Sequence, residues 1–240
     1  MYEGPFGPTS PEAQADPDEE RAGPPWEHAR EAGGYVLAYF RTAGEVLFRP
    51  QTTFRAMSLS PRLNLPLLYW FLPTLISTIV STVLFTAIGR MFRAVLSSVS
   101  GIPMASEVAA TATTPGLLCM AAGLMPMFFV MAAYYHLLLR LFGGARRGFV
   151  GTFRALAYVN GSLATISWAP CIGPVIALVW GAYLEIIGLR EVHDTTTARA
   201  AAAVVLGILG PLTLFVAMLV YALVTGGLPG LADHAPIPMV

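Results

Sequence analysis

The chain has 240 residues, 55% hydrophobic and only 12% charged, with 14 basic residues against 14 acidic ones. Soluble domains carry about 25% charged residues, roughly twice that share. An apolar core of this size has too little polar surface to cover it, which excludes an ordinary soluble enzyme and points to lipid as the solvent.

The balanced charge is a sum of unlike parts. Residues 1–33 hold eight acids (Glu3, Glu12, Asp16, Asp18, Glu19, Glu20, Glu27, Glu31) against Arg21 and Arg30, while the remainder carries 12 Arg against 6 acids. Lys is absent, and an Arg-only chain rich in Ala, Gly and Pro is the composition of a GC-rich bacterial genome. No basic run interleaves with aromatics, so nucleic acid has no footprint here.

Pro5, Pro8, Pro11, Pro17, Pro24 and Pro25 punctuate residues 1–33, which reads as a disordered acidic cytoplasmic tail. It is not a secretory signal, since the first long apolar run begins near Leu65. Residues 34–58 follow with helical periodicity. Val36, Tyr39, Phe40, Ala43, Val46 and Leu47 recur on one side and Arg41 and Glu45 on the other. Pro50 breaks the pattern, and a short second piece sets Phe54 and Met57 beside Arg55. Two readings stand: amphipathic helices in an anionic interface, or helices packed on the cytoplasmic end of the bundle.

Residues 59–228 are expected to form the membrane domain. Its first span, 65–88, is 24 residues without a charge, with a kink predicted at Pro73 and Thr74, Ser77, Thr78, Ser81 and Thr82 on one face. Ile88, Met91, Phe92, Val95, Leu96 and Val99 then form a stripe that either continues the span or lies along the far interface. The second span, 117–139, contains Pro126 and ends in His136 and Arg140. The third, 155–169, reaches back to Phe149 if Arg154 snorkels. A turn from Pro170 to Pro174 leads to the fourth, 172–189, and 201–225 is the fifth, with 229–240 as a C-terminal tail. Spans three and four either cross fully or form a re-entrant hairpin. The fold class is therefore all-α, a polytopic membrane protein with five transmembrane helices. On that topology ten Arg lie on one side and only Arg90 and Arg93 on the other, which predicts N-in, C-out in the inner membrane.

Glu185 is the one carboxylate inside a span, and an intramembrane ionisable group is a functional candidate. The topology brings Glu185, Asn160, His136, Tyr158, Arg140, Arg154 and Arg190 to one depth in the inner third. Such a layer serves either as a proton relay or solute gate, or as neutralised polar packing that pins register. Small residues form stripes on three helices: Ala177, Gly181 and Gly188 on the fourth, Ala157, Gly161 and Ala164 on the third, and Ala203, Gly207 and Gly210 on the fifth. They predict close packing among those three.

Cys119 and Cys171 lack metal-ligand spacing; both fall at the outer ends of their spans, as a disulfide or as two small thiols. Met120, Met125, Met127 and Met131 read as packing rather than a Cu(I) path. Ser162 follows Gly161 as a hydrolase serine would, but no base accompanies it: His136 is on another span and His193 lies in a loop beside Asp194. With no oxyanion signature, P-loop or HExxH motif, no catalytic residue, metal or cofactor is expected.

Three stretches share a resemblance: Val46 to Phe54 before the first span, Arg154 to Gly161 opening the third, and Ile187 to His193 with Thr197 to Ala200 after the fourth. With five spans behind a polar tail, the chain resembles the bacterial branch of the Yip (Ypt-interacting-protein domain) family over roughly residues 35–226. The resemblance implies the family architecture and its matched positions Arg49, Pro50, Tyr158, Asn160, Gly161, Gly188, Arg190, His193 and Arg199, without catalytic residues. Eukaryotic members associate with prenylated Rab GTPases and act in vesicle traffic and membrane shaping, a setting a bacterium lacks. Pro170 and Pro174 around Cys171 make a tighter turn than the family leads one to expect. The function expected is a non-enzymatic membrane scaffold, adaptor or organiser. Its partners would be the lipid bilayer and a second copy or another membrane protein. The alternative is a small-solute permease or lipid transporter using the layer around Glu185.

Overall fold

A computed structural model describes residues 21–100 and 114–224, and every regular element among them is helical. A 3-10 turn, Pro25–His28, precedes α1 (Tyr35–Phe48), α2 (Pro50–Arg55), α3 (Asn64–Ser100), α4 (Thr114–Leu141), α5 (Gly148–Ser167), α6 (Ile172–Val192) and α7 (Thr197–Val224).

Local chemistry sets the breaks. A residue before proline is pushed out of the helical region, and Arg49 lies at φ −134°, ψ 49° while Pro50 takes the first position of α2. The hydroxyls of Thr52 and Thr53 donate to the Arg49 carbonyl at 3.0 and 2.9 Å and fix that bend. Between α5 and α6 the chain reverses through Cys171 at φ +65°. There Gly173 lies so close to α5 that a Cβ would sit 2.6 Å from the Ser167 carbonyl oxygen. The tight Pro170 to Pro174 turn is real, and it makes α5 and α6 antiparallel neighbours.

α5 is the axis of the molecule. From Gly151 to Ala164 nearly every residue is buried, with α1, α3, α4 and α6 packed around it and α7 lying outside on α4 and α6. A stack of rings, Trp70 on Phe128 at 4.0 Å between centroids and Phe128 against Phe153 at 5.1 Å, ties α3, α4 and α5 together. Among the described residues four helices are long and apolar enough to cross a membrane: α3, the Cys119–Leu141 part of α4, α6 and α7. α5, the third predicted span, is too polar to join them, and it runs from Gly148 rather than from residue 155. Arg154 does not snorkel; it is buried within α5.

One open reading is settled and one expectation is revised. The stripe from Ile88 to Val99 continues the first span, so α3 is one helix of 37 residues, roughly 55 Å long at 1.5 Å per residue and well beyond a 30 Å hydrocarbon layer. Residues 21–33, assigned to the tail, are folded: Trp26 is buried, its indole Nε1–H donates to the Leu65 carbonyl at 2.8 Å, and its backbone N–H donates to Thr42 Oγ1 at 2.9 Å. A segment average of charge and proline hid one aromatic anchor. Residues 1–20, for which disorder was expected, lie outside the described residues, as do 101–113 and 225–240.

α1 and α2 pack on the bundle. Ala38, Thr42, Ala43, Val46 and Leu47 of α1 are buried toward α5, and Pro50, Thr53 and Phe54 of α2 toward α6. The opposite face of α1 is nonetheless apolar, exposing Tyr35, Val36, Leu37, Phe40 and Phe48.

Candidate functional site: polar clusters on the buried helix

The residues expected in one polar layer fall into separate clusters, most of them anchored on α5. At the first, Arg154 is 1% exposed and donates four hydrogen bonds. Nη1 reaches Glu27 Oε1 at 2.6 Å and the Ser58 carbonyl at 2.9 Å, Nε the Ser60 carbonyl at 3.1 Å, and Nη2 the Arg62 carbonyl at 3.1 Å. The Tyr158 hydroxyl, one turn on, donates to the same Glu27 oxygen at 2.6 Å. One guanidinium thus gathers the residue 58–62 connection and the N-terminal 3-10 turn onto α5. A buried ion pair is tolerated when its remaining donors and acceptors are met, as here.

The second cluster holds Glu185. Asn160 Nδ2 donates to Glu185 Oε1 at 3.2 Å and to the Leu156 carbonyl at 3.0 Å, and Tyr135 of α4 lies near the Glu185 carboxyl. Tyr135 reaches inward because α7 offers Gly207, where a Cβ would lie 2.6 Å from the phenol ring. Side chains of α4, α5 and α6 meet here, with α7 packed on the Tyr135 ring.

His136 turns away from Glu185. Its Nδ1 lies 2.9 Å from Thr152 Oγ1, which lies 2.9 Å from Nε2 of the fully buried His193, while the Arg147 backbone N–H donates to His193 Nδ1 at 3.1 Å. Arg190 pairs with its neighbour Glu191, which Arg55 of α2 also binds at 2.6 Å. Arg140 is exposed at the end of α4. Of the residues expected at one depth, Asn160 meets Glu185, and Arg154 and Tyr158 share Glu27. The partners Glu27, Tyr135, Thr152, His193, Glu191 and Arg55 completing the clusters were missed. Of these, only His193 had a sequence signal, through the family resemblance.

The small-residue stripes pack closely, some of them on other neighbours than predicted. Gly181 does face α5, with a Cβ 2.9 Å from Leu163. Gly161, expected against the fourth or fifth span, instead admits α3, its Cβ position lying 2.7 Å from the Tyr69 carbonyl. Pro73 deprives that carbonyl of its helical donor, so the glycine seats α5 on the proline-disturbed turn. Gly188 meets the Phe54 ring of α2. Ala157 is fully buried and Ala177 half-buried.

Ser162 has no base. It donates to the Tyr158 carbonyl at 2.7 Å and accepts from the Tyr69 hydroxyl at 2.8 Å, a packing role. Cys119 and Cys171 are free, exposed thiols, so the bond left open between them is not made. Among the described residues no three His, Cys, Asp or Glu side chains gather as a metal set. Two grooves flank α3. One of about 610 Å³ is apolar, between α1 and α3, lined by Tyr35, Tyr39, Phe40, Leu72, Ile76 and Trp168. The other, about 540 Å³, is lined by hydroxyls of Ser77, Thr78, Ser81, Thr82, Thr86 and Ser167.

The Yip1 domain family model matches residues 44–225. No curated protein and no solved structure matches the chain. The matched region runs from the middle of α1 through α7 and takes in the helices long and apolar enough to cross a membrane. The chain is a membrane protein of the Yip1 domain family.

Proposed function

We propose that this Yip-type protein is a non-enzymatic membrane scaffold that organises lipid and recruits a partner at the cytoplasmic face of the inner membrane. Its N-terminus is inside, and α5 crosses as a fifth helix sheathed by the others, since its antiparallel neighbour α6 has nearly the same length. The observation that carries the reading is α1. One face is fixed to α5, and the other offers Tyr35, Val36, Leu37, Phe40 and Phe48 outward beside exposed Arg41 and Arg49. A helix held rigidly in the headgroup region with apolar residues outward inserts between lipids. Residues 1–20 add six acids and no basic residue, a charged segment suited to a basic partner.

Because residues 21–60 belong to the fold, the informative deletion is 1–20. Removing it should lower recovery of cross-linked partners while the melting temperature stays unchanged. Unchanged recovery sinks the adaptor part. Against transport through the Glu185 layer counts that neither groove is lined by Glu185, Asn160 or His136. A proteoliposome solute- and lipid-flux assay decides this: flux abolished by Glu185→Gln in a folded protein would replace the scaffold reading with a transporter.

A further inference from the structure

Hydrogen-bond arithmetic gives the His136–Thr152–His193 chain a direction. The Arg147 backbone N–H can only donate, so His193 Nδ1 is the acceptor and the neutral ring carries its proton on Nε2. That Nε2–H donates to Thr152 Oγ1, and the threonine hydroxyl donates onward to His136 Nδ1. Each of the three bonds then has one donor and one acceptor while both imidazoles are neutral. A proton relay does not fit, because the His193 end of the chain is stopped by a backbone N–H that neither takes up nor releases a proton there.

We propose that this chain is an acid-released latch that holds the end of α4, the start of α5 and the α6–α7 turn together. Protonating His193 puts an Nδ1–H against the Arg147 N–H, donor against donor, with no acceptor between them. Protonating His136 turns a second donor toward Thr152, whose oxygen can accept both but whose own hydrogen then loses its acceptor. The first break therefore falls at His193. Gly151 brings α5 close enough for the latch, since a Cβ there would lie 3.3 Å from the His193 ring and 3.0 Å from Val192.

The charged groups around His193 oppose its protonation on balance. Arg147 faces it from the start of α5 and Arg140 lies beyond His136 on α4. Asp194 favours the charged ring, but its carboxylate is held by Arg147 at 3.0 Å, with Arg21 at 3.8 Å, and Arg146 binds its carbonyl. On α7 Arg199 binds the Gly143 carbonyl, and on α6 Glu191 is held by Arg55 and Arg190. Burial lowers the His193 pKa from 6.5 to about 4. A released ring titrates at its ordinary value, so the latch is intact above that value and is lost progressively as pH falls from 6.5 toward 4. Between pH 7.5 and 5 the linkage favours the open form about 30-fold.

The test is hydrogen exchange on the full chain in nanodiscs at pH 7.5 and 5, corrected for the intrinsic pH dependence of exchange. The wild type should lose about 30-fold protection at the Arg147 amide and the α6–α7 turn, while the centre of α5 is unchanged. His193→Asn keeps an acceptor at the Nδ1 position and does not titrate, so its protection should not fall with acid. Unchanged wild-type protection, or the same acid loss in His193→Asn, overturns the proposal. Should that variant fail to fold, ¹⁵N-imidazole spectra of the wild type still decide. At pH 7.5 His193 should be neutral with its proton on Nε2; the opposite tautomer or a charged ring overturns the latch.

Discussion

Replacing Glu27 by Ala removes the one anion, among the described residues, paired with a guanidinium that is 2% exposed at its side chain. Two charge-assisted hydrogen bonds are lost, from Arg154 Nη1 and from the Tyr158 hydroxyl, while the carbonyls of Ser58, Ser60 and Arg62 remain as dipoles on an uncompensated charge. Breaking a buried pair by truncating one partner costs about 3–5 kcal/mol. For a protein of this size that corresponds to a melting shift of about 6–20 °C. Glu27→Gln keeps an acceptor oxygen for both donors and loses only the charge, so it should cost less than half as much. Removing both charges with Glu27→Leu and Arg154→Met should recover most of the loss, because the uncompensated ion is then gone. Thermal denaturation in detergent, followed through the nearby Trp26, measures all three. A Glu27→Ala shift under about 2 °C, or a double variant no better than the single, would refute a packed and paired N-terminal turn.

Two backbone contacts give further tests. Gly173→Ala places a methyl 2.6 Å from the Ser167 carbonyl and 2.8 Å from that of Ile166. Neither can yield without opening the turn, so the variant should lose about 2–4 kcal/mol in thermal denaturation; wild-type stability would mean the turn is wider. Gly207→Ala drives a methyl to 2.6 Å from the Tyr135 ring, displacing it from Glu185. Tyr135→Phe removes only the hydroxyl, without the clash, and should cost about 1–2 kcal/mol, with Gly207→Ala costing more. The reverse order would show that Tyr135 does not lie against α7.

What the sequence made legible follows from what each helix must do alone. α3, α4, α6 and α7 face lipid, which demands long unbroken apolar runs, and those runs are visible residue by residue. The Arg49-Pro50 bend is equally local. Partners are not. Glu27 sits in an acidic, proline-rich stretch whose average composition resembles a tail, and its role depends on an arginine 127 positions later. Likewise the glycines at 161 and 207 announced close packing, but only the fold shows that Tyr69 and Tyr135 fill the space they leave. His193 looked like a loop residue because its burial comes from α5, through Gly151 and Thr152.

These unseen pairings make α5 dependent on its neighbours. Arginine costs up to roughly 2.5–3.5 kcal/mol at the centre of a membrane helix on insertion scales and less toward the ends. Arg154 lies in the first half of α5, which also carries Asn160, Thr152 and Ser162, all buried or half-buried in the fold. Its apolar residues do not offset this, which is why it falls outside the helices apolar enough to cross alone. In the folded protein the charge meets Glu27 and the amide meets Glu185, contributed by segments on opposite sides of α5 in the chain. A glycosylation-tagged reporter carrying residues 145–170 should therefore fail to insert, one carrying 145–196 should insert poorly, and the full chain should insert α5 fully. Arg154→Leu should raise insertion of the isolated segment while destabilising the full chain, whose Glu27 would then lack its cation. Efficient insertion of the isolated wild-type segment would mean α5 needs no sheath, and the central place given to it by the Arg154 and Glu185 clusters would lose its physical basis.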